Sequence, residues 1–549
     1  MSELSVVMAT YNRAALLDRC LDALAVQTAP RSSFEIVVVD DGSTDDTTEV
    51  LKRYRKRLPL RFDRIENSGQ AVALNRAVEL TAGRVCLFLD DDVIASNGLV
   101  AEHLQAHGSG PGIIGLGNLS LEIPVRSGGL AHYIERWWAG HYAAFERGDS
   151  APTFRSCYSG NLSVPRAALA AADGFAEWIP RSFDVELAYR LTQAGLPIVF
   201  LPEARAVQVH EKDFSALVSD FERAGAAAVE MVRREPPLLA QLPLGSYWES
   251  GPREGLARRI LLAFHFPPAL LRPFDRLLVA PRFDRFYRFI QEYAYWRGVR
   301  RAERSRARWR SLLGGVVILL YHAIGEPGEP ASRYVLPVRR FARQLWLLRL
   351  LRYRVLTLDA YARHREEYSL PPPRSVIITL DDGYRDNAEL AFPLLRRHDA
   401  VATIFAVSGS LGGRNTWSVG SEVWGRPLLG WPEVESLRSA GVRFGAHTKT
   451  HASLPELSPE ERQDEISGSC RQLERRLGPI RHFAYPYGHV DDATLDAVRS
   501  MGLATAAGIE EGRNSFATPL LRLRRCEVRG TDSLFKFALM LVLGKRPGS

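Results

Sequence analysis

Three acidic clusters and one histidine pair carry most of the chemistry this sequence offers. Asp40-Asp41 closes the apolar run Phe34–Val39, and Asp90-Asp91-Asp92 closes the run Cys86–Leu89. At the end of an extended segment, alternate carboxylates such as Asp90 and Asp92 share one side. Hard oxygen ligands of this kind suit Mg²⁺ or Mn²⁺, with phosphate oxygens completing the shell. Taken alone, the triplet is equally a solvated acidic turn. In the C-terminal half, Asp381-Asp382 follows Val376–Leu380, and His447 and His451 stand four residues apart behind another apolar segment. An isolated HxxxH is common on surface helices. Two histidines with one carboxylate also make a three-ligand centre with an open position for water, as Zn²⁺ or another divalent transition metal uses. The second carboxylate of the pair is then the base that takes the water's proton.

The elements behind these residues are legible as alternating patterns. Leu4–Met8, Phe34–Val39 and Val85–Leu89 read as buried parallel strands, with helical spacing over Ala14–Val26 and Gln70–Leu80. Such a β-α-β-α-β order predicts a doubly wound sheet that binds ligands at the carboxyl ends of its strands. Thr10, Tyr11, Asn12 and Arg13 fall at the first of those ends, Asp41 at the second and Asp90–Asp92 at the third. A second α/β pattern begins at Val316–Leu320 and continues through Val376–Leu380 and Ala402–Val407 to about residue 530. Between the two lies a stretch with proline pairs, aromatics and arginine, in which residues 281–310 hold ten Arg against three acids. It reads either as a solvated helical connector or as a basic amphipathic surface for an anionic membrane or lipid-diphosphate acceptor. The apolar tail 534–543 is either a docking helix or a shallow membrane contact.

Composition sets outer bounds. A chain of 549 residues with 46% hydrophobic and 24% charged residues is globular and multidomain. Its net charge of +8 rests on Arg rather than Lys, and no nucleic-acid partner is expected from it. Five scattered cysteines without CxxC spacing suit a reducing compartment and oppose a disulfide framework. The opening residues show no basic, signal-like region, and the apolar run 311–325 is too short to span a bilayer. A cytoplasmic protein is expected, peripheral at the inner membrane at most.

The N-terminal motifs, VVMATYNR (6–13), EIVVVDDGSTDDT (35–47), NSGQAVALNRAV (67–78), CLFLDDD (86–92), SGNLSVPR (159–166) and GFAEWIPRSFDVELAYRLTQAG (174–195), resemble the family 2 glycosyltransferases of the GT-A fold. The resemblance implies inverting transfer of a sugar from a nucleoside diphosphate, usually UDP. Carried over by position, Thr10, Tyr11 and Arg13 line the nucleotide pocket and Asp41 accepts from the uracil ring. Gly69 and Asn75 match a substrate-binding segment whose usual Arg is Leu74 here, with Arg76 as its substitute. Asp90 and Asp92 match the ends of the metal-linked DxD, Asp92 as metal ligand. Asp184 matches the catalytic base, and His210 a residue that approaches the metal or diphosphate.

The C-terminal motifs, LLYHAIG (319–325), ITLDDGYRDN (378–387), TIFAVSG (403–409), GWPEVESLRSAGVRFGAHTKTHASL (430–454) and FAYPYG (483–488), resemble the polysaccharide deacetylases with NodB homology, carbohydrate esterase family 4. The resemblance implies that Asp382, His447 and His451 bind the metal, that Asp381 is the base, and that the Tyr487 N–H stabilises the oxyanion. Two positions depart from the pattern. Ala484 stands where the family has the Arg that orients the base, and LLRLRRCEV (520–528) lacks the His that acts as general acid. Another group or water must then protonate the leaving amine, with His489 and His322 as the candidates.

Together these readings predict an α/β chain in four parts. A GT-A domain with a Rossmann-like mixed sheet occupies 1–230 and a helical connector 231–312. A NodB-type distorted (β/α) barrel follows over 313–530, then a tail over 531–549. The expected function is bifunctional glycan assembly: transfer from a nucleotide-sugar donor to a glycan or lipid-linked saccharide acceptor, and metal-dependent N-deacetylation of an N-acetylhexosamine unit. The alternative is a transferase with an inactive, carbohydrate-binding deacetylase-like domain.

Overall fold

Apolar runs that end in Asp become strands whose carboxyl ends meet, and this places the acidic clusters. The computed structural model describes residues 2–108 and 112–547, and the chain divides into two units, Met1–Met231 with Phe266–Ala302 and Val232–His265 with Glu303–Ser549.

In the first unit an eight-stranded mixed sheet runs in the order β3-β2-β1-β4-β7-β6-β8-β5. Its strands are β1 (Leu4–Thr10), β2 (Phe34–Asp40), β3 (Leu60–Arg64), β4 (Val85–Phe88), β5 (Val93–Ala95), β6 (Ile114–Glu122), β7 (Leu162–Pro165) and β8 (Ile198–Val209). Parallel β1 lies between β2 and β4, in the register Val6↔Ile36 and Val6↔Leu87. The chain order reverses at that point, so the loops after β1, β2 and β4 open into one crevice. Beyond β4 the sheet turns antiparallel through β7.

The helix Asp284–Ala302 belongs to this unit, which corrects the expectation of a separate connector over 231–312. Its Tyr287, Ile290, Tyr293, Ala294, Trp296 and Val299 are buried, and Arg297 and Arg301 pair with Glu222. Close approach explains the sequence: a Cβ on Gly298 would lie 1.8 Å from the Glu222 carbonyl oxygen, and one on Gly225 2.0 Å from that of Tyr295. Arg297 and Arg301 therefore serve ion pairs on a packed helix. Residues 232–265 and 303–312 fall in the second unit.

The second unit holds an all-parallel, curled sheet in the order β17-β16-β15-β14-β13-β9-β18, with β12 also on β13. These are β9 (Val317–Tyr321), β12 (Arg354–Leu356), β13 (Ser375–Leu380), β14 (Thr403–Ala406), β15 (Arg443–Ala446), β16 (His482–Ala484), β17 (Thr505–Ala507) and β18 (Cys526–Glu527). A small pair, β10 (Ala323–Gly325) and β11 (Val335–Pro337), stands apart. Strands buried on both faces read as continuous apolar runs, as SVIITL in β13 does. The tail forms a helix, Leu534–Leu543, with Phe537, Met540 and Leu541 buried in this core and Phe535 exposed. No helix among the described residues is long and apolar enough to cross a membrane.

Candidate active sites

In the first unit the loop after β4 is the hub. Thr10 Oγ1 donates to Asp91 (2.8 Å), and Arg13 donates to Asp91 (2.9 Å) and Asp92 (2.8 Å). Gln208 Nε2 donates to the other Asp92 oxygen at 2.9 Å. Both oxygens of Asp92, expected as a metal ligand, are thus held by protein donors, and a cation there competes with Arg13. A cavity of about 380 Å³ opens beside them, lined by Arg13, Asp92, Gln208, His210, Lys212 and Asp213. His210 Nε2 is buried with no partner, and burial lowers the imidazole pKa. An unpartnered ring nitrogen on a cavity beside Arg13 and Lys212 fits an oxygen-rich anion or a bound cation.

Asp90 and Asp184 share one residue. The Ser159 hydroxyl donates to Asp90 (3.3 Å) and its N–H to Asp184 (3.2 Å). Gln70 also donates to Asp90, at 3.1 Å. Burial, then the charges of Asp92, Asp91 and Asp184, push the Asp90 carboxyl up to about 7. Asp184 sits in the first turn of the helix Phe183–Gln193, and burial raises its pKa as well. A carboxyl raised toward neutrality suits a general base. Clustered, uncompensated acid at Asp90 also fits a divalent cation with phosphate ligands.

Other sequence-selected residues serve the walls. Asp41 accepts the backbone N–H groups of Ser68 (2.7 Å) and Gly69 (2.9 Å). Gly69 has φ +98° with open space at its Cβ position, so conformation rather than room requires glycine there. Tyr11 is 46% exposed at the crevice. Asn75 departs from its expected substrate role: its amide donates to the Phe175 carbonyl (2.9 Å) and Glu177 (2.8 Å) and accepts from the Phe175 N–H (2.8 Å). It ties down the 174–177 loop. Arg76 bonds to Asp63 and Glu79. Ser159 was not singled out as a site residue, although it opens the SGNLSVPR motif.

In the second unit Asp381 and Asp382 end β13, and His447 ends β15. His447 Nδ1 bonds to the Ala484 carbonyl at 2.7 Å, which turns Nε2 toward Asp382 Oδ1 at 3.6 Å. His451 Nε2 lies 3.3 Å from the same oxygen. Ligand atoms of Asp382, His447 and His451 all fall within 4.8 Å of one another, and Asp382 Oδ1 is buried without a hydrogen-bond donor. This donor set, with an outer bond fixing the His447 tautomer, fits a divalent transition metal. Asp382 (φ +73°), Thr448 (+62°), His451 (+66°) and Tyr487 (+58°) all adopt left-handed backbone. At about 1–3 kcal/mol each, four such residues around one centre mark it as built for chemistry. Trp417 stacks on His451 (4.8 Å, 16°) and Tyr487 meets it edge-on (4.7 Å, 82°), walling the ring on two sides.

The orienting arginine comes from elsewhere in the chain. Arg525, just before β18, places Nη1 2.7 Å from Asp381 Oδ1 and Nη2 2.8 Å from Oδ2, and is 0% exposed. Burial would raise the Asp381 carboxyl, but Arg525 and then His447 hold it below its usual range. The arginine on Asp381 thus comes from position 525 and not from position 484. Of the two candidates for the acid, His322 follows β9 and meets Tyr334 edge-on (5.0 Å, 74°), while His489 bonds to Ser453 at 3.1 Å.

Comparison with known proteins agrees with the division into two domains. Residues 5–147 match the family model for glycosyl transferase family 2, and residues 369–506 that for polysaccharide deacetylase. Validoxylamine A glucosyltransferase of Streptomyces hygroscopicus is 33% identical over 272 residues, 44% of this chain, which spans 62% of that protein's length. YxkH of Bacillus subtilis, which carries a polysaccharide-deacetylase name, is 26% identical over 38% of this chain and 70% of its own. The Streptococcus pyogenes deacetylase PplD, solved with acetate, aligns over 41% of this chain and 98% of its own at 25% identity and a TM-score of 0.36. The chain carries a family 2 glycosyltransferase domain in its N-terminal part and a polysaccharide deacetylase domain in its C-terminal part.

Proposed function

We propose that the chain is a bifunctional glycan-assembly enzyme that transfers a sugar from a UDP-sugar to a glycan or lipid-linked acceptor and N-deacetylates an N-acetylhexosamine unit. The observation that carries the second half is the pairing of a three-ligand cluster with a base held by Arg525. Zn²⁺ or another divalent ion held by Asp382, His447 and His451 would acidify water and polarise the amide carbonyl. Asp381, ionised by Arg525, takes a proton from the attacking water. The Tyr487 N–H faces the developing oxyanion, and His322 gives a proton to the departing amine. The inactive-domain alternative drew on the absence of an orienting Arg and an acid His, and Arg525 speaks against the first of these.

In the transferase half Asp184 takes the proton of the acceptor hydroxyl. Arg13, His210 and Lys212 face the diphosphate, and Asp90 serves Mg²⁺ or Mn²⁺ there. Nucleotide sugars are cytoplasmic, which favours that compartment for both domains. Donor hydrolysis across UDP-sugars and acetate release from N-acetylglucosamine oligomers, each with and without chelator, test the reading. One preferred donor and chelator-sensitive acetate release are expected. A chain that releases neither UDP nor acetate sinks it.

A further inference from the structure

We infer that the turn 268–278 of the first unit is a docking surface for an anionic lipid bilayer. The turn runs through the short helices Pro268–Leu271 and Arg272–Asp275 and is apolar on two sides. Inward, Leu271 and Leu278 pack on the core of Leu130, Tyr133, Phe214 and Tyr287. Asp275, the sole acid between residues 266 and 283, is buried and accepts the Leu130 N–H at 2.9 Å. The backbone approaches so closely that a Cβ on Gly129 would lie 2.6 Å from the Leu278 carbonyl oxygen. The segment is thus fixed in place.

Outward, Leu270, Phe274 and Leu277 are 59%, 52% and 75% exposed. Leu270 lies in the first short helix, Phe274 in the second and Leu277 in the turn that follows, so the three fall within eight residues of one fixed segment. Single exposed apolar residues need no explanation, whereas three so close together, interleaved with arginines, do. Arg272 and Arg276 flank them and are exposed, and Arg272 has only a distant pairing with Asp213, at 3.6 Å. Apolar side chains at the acyl boundary with arginines at headgroup level is the pattern of an interfacial segment. A second copy of the chain is the poorer occupant, because a self-complementary contact brings Arg272 and Arg276 near their own images, and the segment 266–283 offers no exposed acid to offset them, Asp213 beside Arg272 being the nearest. The surface lies outside the 281–310 and 534–543 segments.

Co-sedimentation of the full chain with vesicles of phosphatidylcholine, alone or mixed with phosphatidylglycerol, tests this. Binding to the mixed vesicles that weakens with salt is expected. Phe274→Ser with Leu277→Ser should lower vesicle affinity at least about tenfold with an unchanged melting curve, since both side chains are exposed. Arg272→Gln with Arg276→Gln should remove most of the salt dependence. Failure of the wild type to bind mixed vesicles, or serine variants that bind as well, overturns the proposal. So does lipid-free self-association that the serine variants abolish, which would assign the face to a second copy.

Discussion

Arg525 and Asp381 form a two-point pair, Nη1 to Oδ1 and Nη2 to Oδ2, between side chains 144 residues apart in sequence and both closed to solvent. Charge-assisted fork geometry fixes the carboxylate in orientation as well as charge. Removing one partner of a buried pair typically costs about 3–5 kcal/mol, so Arg525→Met should lower stability by that order. Its sharper signature is in pH. Without Arg525, burial dominates, the Asp381 carboxyl rises, and the base is protonated over a wider acidic range. The acid limb of deacetylation should therefore move to higher pH, while bound metal stays, because Arg525 is not among the three clustered ligands. An unmoved limb would remove Arg525 from this role.

Metal retention separates the two aspartates. His447→Ala deletes one of only three protein ligands and should strip the metal measured by elemental analysis. Asp381→Asn should keep the metal and still lose acetate release by about 10²-fold or more. Equal metal loss in both variants would mean that Asp381 is itself a ligand.

How far the sequence foretold this depends on distance along the chain. Strand ends with acidic loops were legible because apolar runs and the Asp residues that close them are contiguous, and β1, β2, β4 and β13 formed where the runs stood. Arg525 was not, since in a chain this rich in arginine nothing local distinguishes it. Only the alignment of β18 with β9, in the register Cys526↔Leu319, brings it beneath the end of β13. Asn75 shows the opposite failure. A motif position suggested a ligand contact, yet the amide is used up on the 174–177 loop. Aromatics in 284–302 were ambiguous because composition alone does not say which helical face is covered. Gly225 and Gly298 carried that information, read only once the helices are seen to touch.

Asp90 makes the transferase pH-dependent. Its carboxyl, held up to about 7, is neutral below that point and charged above it. Mn²⁺-dependent UDP affinity should climb through neutrality, by up to about tenfold per pH unit on the acidic side, as titration calorimetry would record. Stability should move the other way. The folded chain keeps a proton that the unfolded chain releases, so between the ordinary Asp range and about 7 this group lowers stability as pH rises. Asp90→Asn should abolish both trends, and a persisting affinity step would assign it to another group.

Asp184 and Ser159 can be told apart by kinetics. A general base contributes about 10²–10⁴-fold in rate, so Asp184→Asn should lose transfer on that scale with UDP affinity nearly intact. Ser159→Ala removes the hydroxyl to Asp90 but keeps the backbone N–H to Asp184. Its loss should therefore appear in Mn²⁺-dependent UDP binding, with the chemical step little changed in single turnover. Unchanged turnover in Asp184→Asn would take the base role from it, and a Ser159→Ala variant impaired only in the chemical step would place the hydroxyl at the acceptor instead.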